Sequence, residues 1–177
     1  MKLALITAFF VAMLLAGCSN EPSLQKYFVE NSEKKGFISL DVSSNILNVD
    51  KAKLSAEQKT ALQSFDKMNI IAFKSDKTNQ AEYDLESEKL ASILTTEKYQ
   101  ELMKIGSGKD AASLSFVGDE NNINEFILFA KKKENGFAVV RILGEDMNPN
   151  NIMTMISVLK ETNIDMEQLK PLQELMK

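Results

Sequence analysis

The sequence predicts an α+β fold: a mostly antiparallel sheet of about five strands, with helices packed largely on one face and a leader segment in front. Three observations carry that expectation. Five short apolar runs are bounded by polar or glycine-containing turns, as strands are. Two of the longest, 123–131 and 137–143, flank Asn135-Gly136, the strongest short hairpin signal, so they are expected to be antiparallel neighbours. Helical periodicities fall before, between and after these runs.

Residues 23–34, SLQKYFVENSEK, read as a first helix with Leu24, Tyr27 and Phe28 on its apolar side and Gly36 as its stop. FISLDVS (37–43) alternates as a strand, with Phe37, Ser39 and Asp41 on one side and Ile38, Leu40 and Val42 on the other. Residues 44–53 give no clear signal. Ser55-Ala56-Glu57-Gln58 is a capping box, in which the Ser hydroxyl accepts from the Gln58 amide and the Gln side chain reaches back. It opens a helix whose apolar face holds Leu54, Ala61, Leu62 and Phe65. MNIIAFK (68–74) follows as a strand and SDKTNQ (75–80) as a polar turn.

A long helical stretch is expected over about 82–105. Leu90, Ile93 and Leu94 form one patch, and Tyr99, Leu102 and Met103 a second at i, i+3, i+4; Thr95-Thr96 mark a break and a new cap. Gly106-Ser107-Gly108 ends it. AASLSFV (111–117) alternates as a strand. A turn centred on Asn135-Gly136 sets Ala130 opposite Arg141 and Leu128 opposite Leu143. Asn148 as N-cap and Pro149 at the first helical position then start a helix with Ile152, Met155, Ile156 and Leu159 on one face. The tail, with a cap at Asp165 and Pro171 beyond it, is a short amphipathic end. The resulting segments are a leader (1–17), a tether (18–23), a single α+β domain (24–162) and a C-terminal tail (163–177).

The leader is chemically specific. Lys2 is followed by fourteen uncharged residues, Leu3 to Ala16. A membrane span needs about 20 apolar residues, whereas the apolar region of a secretory signal runs roughly 7–15. Leu15-Ala16-Gly17-Cys18 then resembles the lipobox of bacterial lipoproteins: an aliphatic residue, two small residues and an obligatory cysteine. Small residues let the peptidase approach the backbone, and the thiol carries the diacylglycerol. Cys18 is the only cysteine. The resemblance implies a lipoprotein signal peptide, a mature chain beginning at acylated Cys18, and membrane lipid as its first partner, since multiple acyl chains anchor stably. Ser19, rather than Asp, implies sorting to the outer membrane, and the tether SNEPSLQK lacks the dense acidic cluster of surface-exported Bacteroidetes lipoproteins, which implies the periplasmic face.

Composition narrows the chemistry. The chain has no His and no Trp, and acylation of Cys18 removes its one thiol. Ser-His-Asp and Cys-His nucleophile systems, the usual zinc sites and internal disulfides are therefore excluded. Loss of Lys2 with the leader takes Lys+Arg from 21 to 20 against 25 Asp+Glu, a net charge of −5. That balance offers no footprint for nucleic acid.

The C-terminal half carries a wider resemblance. A Tyr-x-Glu-Leu-Met segment (99–103) and a glycine-containing turn precede three strands, one with Glu125 before an aliphatic run. Leu143-Gly144-Glu145-Asp146 then turns into the last helix. The stretch is similar to the Bacteroidetes lipoproteins of domain of unknown function 4252. That family often has Gly-Asp-Ile-Asp where this chain has Gly144-Glu145-Asp146-Met147, and it implies no catalytic residues.

Several residues invite functional readings. Arg141, the only arginine, sits in an apolar strand, on the side shared with Val139, Leu143 and, across the hairpin, Leu128. It is either a guanidinium lining an anion cleft or, the preferred reading, a solvent-face residue or a structural partner for an acid. Asp119-Glu120-Asn121-Asn122 resembles half a calcium loop but has Asn124 where the sixth position requires Gly, so a polar hairpin loop is expected. Glu145-Asp146 are expected to complement a helix dipole. Met147, Met153, Met155 and Met166 suggest copper(I), but i and i+2 diverge on a helix and core packing is preferred. Lys131-Lys132-Lys133 is read as a solvated turn in preference to a lipid-headgroup contact. Ser32-Glu33-Lys34-Lys35 is a polar helix end, not a Ser/Lys catalytic pair. No catalytic residue, cofactor or metal is assigned. The expectation is a non-enzymatic, lipid-anchored domain that contacts an envelope protein; a binding module for a small apolar or lipidic ligand is the alternative.

Overall fold

The computed structural model describes residues 21–43, 54–120 and 122–154. The cysteine, the ambiguous residues 44–53, the expected helix positions Met155, Ile156 and Leu159, and the tail 163–177 lie outside them. The described elements are α1 (Leu24–Asn31), β1 (Phe37–Ser43), α2 (Ala56–Gln63), β2 (Phe65–Lys74), α3 (Gln80–Leu94), β3 (Gln100–Ser107), β4 (Asp110–Asp119), β5 (Asn122–Lys132) and β6 (Gly136–Met147). A fourth helix, α4, is described over 149–154. The strands form one six-stranded sheet in the order β1-β2-β6-β5-β4-β3, with every neighbouring pair antiparallel. The α+β expectation holds, with one strand more than expected.

Local chemistry sets the helix starts. The Ser23 side chain accepts from the Lys26 amide at the start of α1. Ser55 and Gln58 form the complete capping box at α2. Asn148 Oδ1 accepts from the Asn151 amide, capping α4. Before α3, Asp76 Oδ1 accepts from the Thr78 and Asn79 amides and the Thr78 hydroxyl, making the 75–80 turn. These bonds hold the Asp76 carboxyl below its usual range.

Three expectations are corrected. The helix expected over 82–105 ends at Leu94, and residues 100–107 form the edge strand β3. Thr95 closes α3 through its amide to the Ala91 carbonyl. Tyr99 then turns into the core, where its hydroxyl accepts from the Leu24 amide at 2.9 Å. The register of β3 on β4 slips at Leu102, between Glu101 and Met103. That extra residue breaks the period-2 alternation of a strand and leaves the i, i+3, i+4 spacing of a helix.

The Asn135-Gly136 hairpin forms, but three residues out of the expected register: Ala130 faces Ala138 and Leu128 faces Val140. Asn135 does not take positive φ; Gly136 does, at 122°. The turn is three residues long, with the Asn135 amide donating to the Lys132 carbonyl. The cause is β2. Gly136 pairs with Lys74, and a Cβ there would sit 1.9 Å from the Phe73 carbonyl oxygen, so glycine is needed where the third strand approaches. Finally, Phe65 begins β2 instead of closing the face of α2.

The two faces of the sheet bury separate clusters. On one, α1 and α3 pack Leu24, Tyr27, Phe28, Tyr83, Leu90 and Ile93 against Ile71, Phe73, Ile127, Phe129, Phe137 and Val139. Phe73 and Phe137 stack at 5.5 Å, and Phe37 meets Phe73 edge-on at 5.0 Å. Such pairs are worth about 0.5–1.5 kcal/mol beyond the area they bury. On the opposite face, Leu62 and Ile152 from the short helices join Val42, Ile70, Phe116, Ile123, Phe126 and Ile142.

All three tyrosines of the chain belong to the first cluster. Burial raises each phenol above its ordinary 10.0, and for Tyr27 the carboxylate of Glu86 adds to the effect. A raised folded-state value means stability that is complete below pH 10 and lost as pH rises through the folded value. Tyrosinate absorbance at 295 nm, unobscured by tryptophan, is therefore expected to stay low past pH 10 and to appear together with the loss of far-ultraviolet circular dichroism. Full ionisation at pH 10 with the dichroism intact would contradict this burial.

Candidate functional site

The strongest concentration of unusual chemistry lies where α1 crosses β6 and β5. Arg141 and Glu125 are only 8 % and 7 % exposed. They share a face because Arg141 pairs with Ile127 and Glu125 with Leu143 in one unbroken register, and Glu125 and Ile127 are two residues apart on β5. Arg141 Nε donates to Glu125 Oε1 at 2.6 Å and Nη2 to Oε2 at 3.1 Å. Phe28 of α1 covers the guanidinium, with its ring centroid 5.3 Å from Cζ. Of the two sequence readings of Arg141, the structural pair with an acid is realised, and the residue also lines a cleft. Its neighbours are corrected: Leu128 points to the other face, and Ile127 stands opposite.

The cleft beside this pair has a volume of about 310 Å³. Gln25 and Phe28 form one wall, Asp41, Lys67 and Asn69 the other, and Arg141 the floor. Asn69 Nδ2 donates to the Asp41 carboxylate. Lys67 and Asp41 offset one another, as do Arg141 and Glu125, so the site has no net field to draw in an anion. It can offer hydrogen bonds and an aromatic edge to a neutral polar group.

A second polar group lies under α1 and α3. Lys34 Nζ meets Glu86 Oε1 at 2.8 Å, leaving the buried Oε2 without a partner among the described residues. The Tyr27 hydroxyl comes near Glu86 without reaching hydrogen-bond geometry and is also unpartnered. Lys34 thus serves a buried carboxylate and not Ser32, whose hydroxyl bonds the Val29 carbonyl.

The other sequence candidates do not converge. Asp119 and Asn122 close the β4–β5 hairpin as a polar loop. Met147 is buried and Met153 is exposed, while Met155 and Met166 lie outside the described residues. Glu145 and Asp146 are exposed, and Asp146 takes φ 53°. Lys131–Lys133 flank the β5–β6 turn, where the Lys133 amide bonds Asp110 Oδ1. No group of three metal-ligating side chains occurs among the described residues.

A family model, Domain of unknown function (DUF4252), matches residues 27–155. The chain belongs to that family. The DUF4252 match runs from α1 past the start of α4 and so takes in the whole described sheet and the Arg141–Glu125 pair. No curated protein and no solved structure matches the chain.

Sequence reasoning missed Glu125 as the partner of Arg141. The available signal was the glutamate opening the apolar strand that precedes the only arginine; the misjudged hairpin register kept the two apart. Removing either partner leaves a buried charge uncompensated, which costs about 3–5 kcal/mol. Glu125→Gln or Arg141→Met is expected to lower unfolding stability in urea by that amount. The double variant Glu125→Leu/Arg141→Met is expected to recover most of the loss, because well-packed apolar replacements of buried pairs are often neutral or better. Single variants that cost under about 1 kcal/mol, as surface pairs do, would contradict the buried pair.

Proposed function

We propose that this DUF4252 chain is a bacterial envelope lipoprotein that works by contact and not by catalysis. The observation that carries the reading is Leu15-Ala16-Gly17-Cys18, a lipobox-like sequence whose cysteine is the only one in the chain. Five residues separate Cys18 from Leu24, the first residue of α1. At about 3.4 Å each they span about 17 Å when extended, so an acylated Cys18 holds the domain close to the bilayer. No described helix is long and apolar enough to cross a membrane; the proposed anchor is the set of acyl chains on Cys18. Ser19 favours the outer membrane, and a tether without a dense acidic cluster favours its periplasmic face.

The contact reading draws on the edge strand β3, every residue of which is exposed. The alternative, a module for a small apolar or lipidic ligand, calls for an enclosed apolar cavity. The Arg141 cleft is open and edged with polar side chains, which favours contact with a protein surface.

Mass spectrometry of the protein from its own membranes is expected to find an N-terminal peptide beginning at Cys18 and carrying acyl chains. Cys18→Ser is expected to move the protein from the membrane to the soluble fraction. A free thiol at Cys18, or a mature start elsewhere, would refute the proposal.

A further inference from the structure

We infer that β3 is a self-association edge, pairing antiparallel with β3 of a second copy about a two-fold axis. The strand presents a row of main-chain donors and acceptors on its side away from β4, because it is the last strand of the sheet. All eight residues are exposed, including Met103 at 50 % and Ile105 at 65 %. Edge strands are usually blunted by lysine, proline, a bulge, inward charges or burial; β3 has a lysine and the bulge at Leu102, so a partner must match both. Here the one lysine, Lys104, has a complement within the same strand.

That complement follows from the slip at Leu102. Glu101 pairs with Ser115 and Lys104 with Ser113, two residues apart on β4. Glu101 and Lys104 therefore lie on one face of the sheet, which three residues of unbroken strand would not allow. Gln100, Met103 and Ile105 pair with Phe116, Leu114 and Ala112 and lie on the other. When two β3 strands run antiparallel with Glu101 facing Lys104, the symmetry repeats the contact: each glutamate meets the other copy's lysine. Gln100 then faces Ile105, and the exposed Met103 side chains approach one another on the apolar face. Facing residues belong to the same face at each of these positions, as antiparallel pairing requires. Registers that set Lys104 against itself bring like charges together. The occupant that fits the strand is thus its own copy. This inference does not depend on the lipid anchor.

A charge-exchange series on the full chain in detergent micelles tests it, read by sedimentation velocity over a range of concentrations. The unmodified chain is expected to pass from monomer to dimer as concentration rises. Glu101→Lys alone and Lys104→Glu alone each create two like-charge pairs per dimer and are expected to raise the dissociation constant about tenfold. Glu101→Lys/Lys104→Glu restores opposite charges and is expected to return it close to the starting value. Amide hydrogen exchange on the unmodified chain is expected to show concentration-dependent protection within 100–107. A monomer up to about 1 mM overturns the inference. So does a dimer indifferent to the single exchanges, not restored by the double one, or protected elsewhere than β3.

Discussion

Arg141 and Glu125 place opposite charges in direct contact inside the fold, and an unpartnered charge in that position would be costly. Meeting this constraint fixes several elements together. β5 and β6 must keep one register from Glu125 to Lys132, so that the carboxylate stands diagonally beside the arginine on the same face. α1 must cross at the height where Phe28 covers the guanidinium. Tyr99, reaching the Leu24 amide, ties the start of that helix to the chain entering β3. Such pairs contribute little net stability compared with apolar packing, but they penalise misplacement heavily. A one-residue slip of β5 against β6 would put the two charges on opposite faces, so the pair is made only in the register that the approach of β2 at Gly136 sets.

How far the fold can be read from the sequence depends on whether each signal is local. The caps at Ser55 and Asn148 and the strand at 37–43 were legible because their chemistry lies within a few residues. Asn135-Gly136 announced a hairpin correctly, yet its register was hidden. The glycine's conformation answers to Phe73 and Lys74, some sixty residues earlier in the chain. Residues 100–107 were illegible for two reasons. Gln, Glu, Leu, Met and Lys are all good helix formers, and the extra residue at Leu102 counterfeits a helical period. The sheet edge overrides both. In the candidate site the arginine was visible, but its partner was not, because a diagonal contact across a hairpin depends on the register.

The contact role proposed above rests on what the described surface presents. The cleft above Arg141 is electrically balanced, and the buried carboxylates Glu125 and Glu86 are each engaged by a cation. One exposed feature is the backbone edge of β3, with Met103 and Ile105 beside it.

The slip at Leu102 has a further consequence for assembly. A strand that matches only its own rotated copy makes an isologous joint, and an isologous joint is closed once two molecules have met. The free edge would then be consumed instead of passed on. Head-to-tail growth into fibres, the usual hazard of an uncovered strand, has no second acceptor of the same pattern on β3. A single inserted residue would thus close the joint at β3, leaving β1 as the other edge of the sheet.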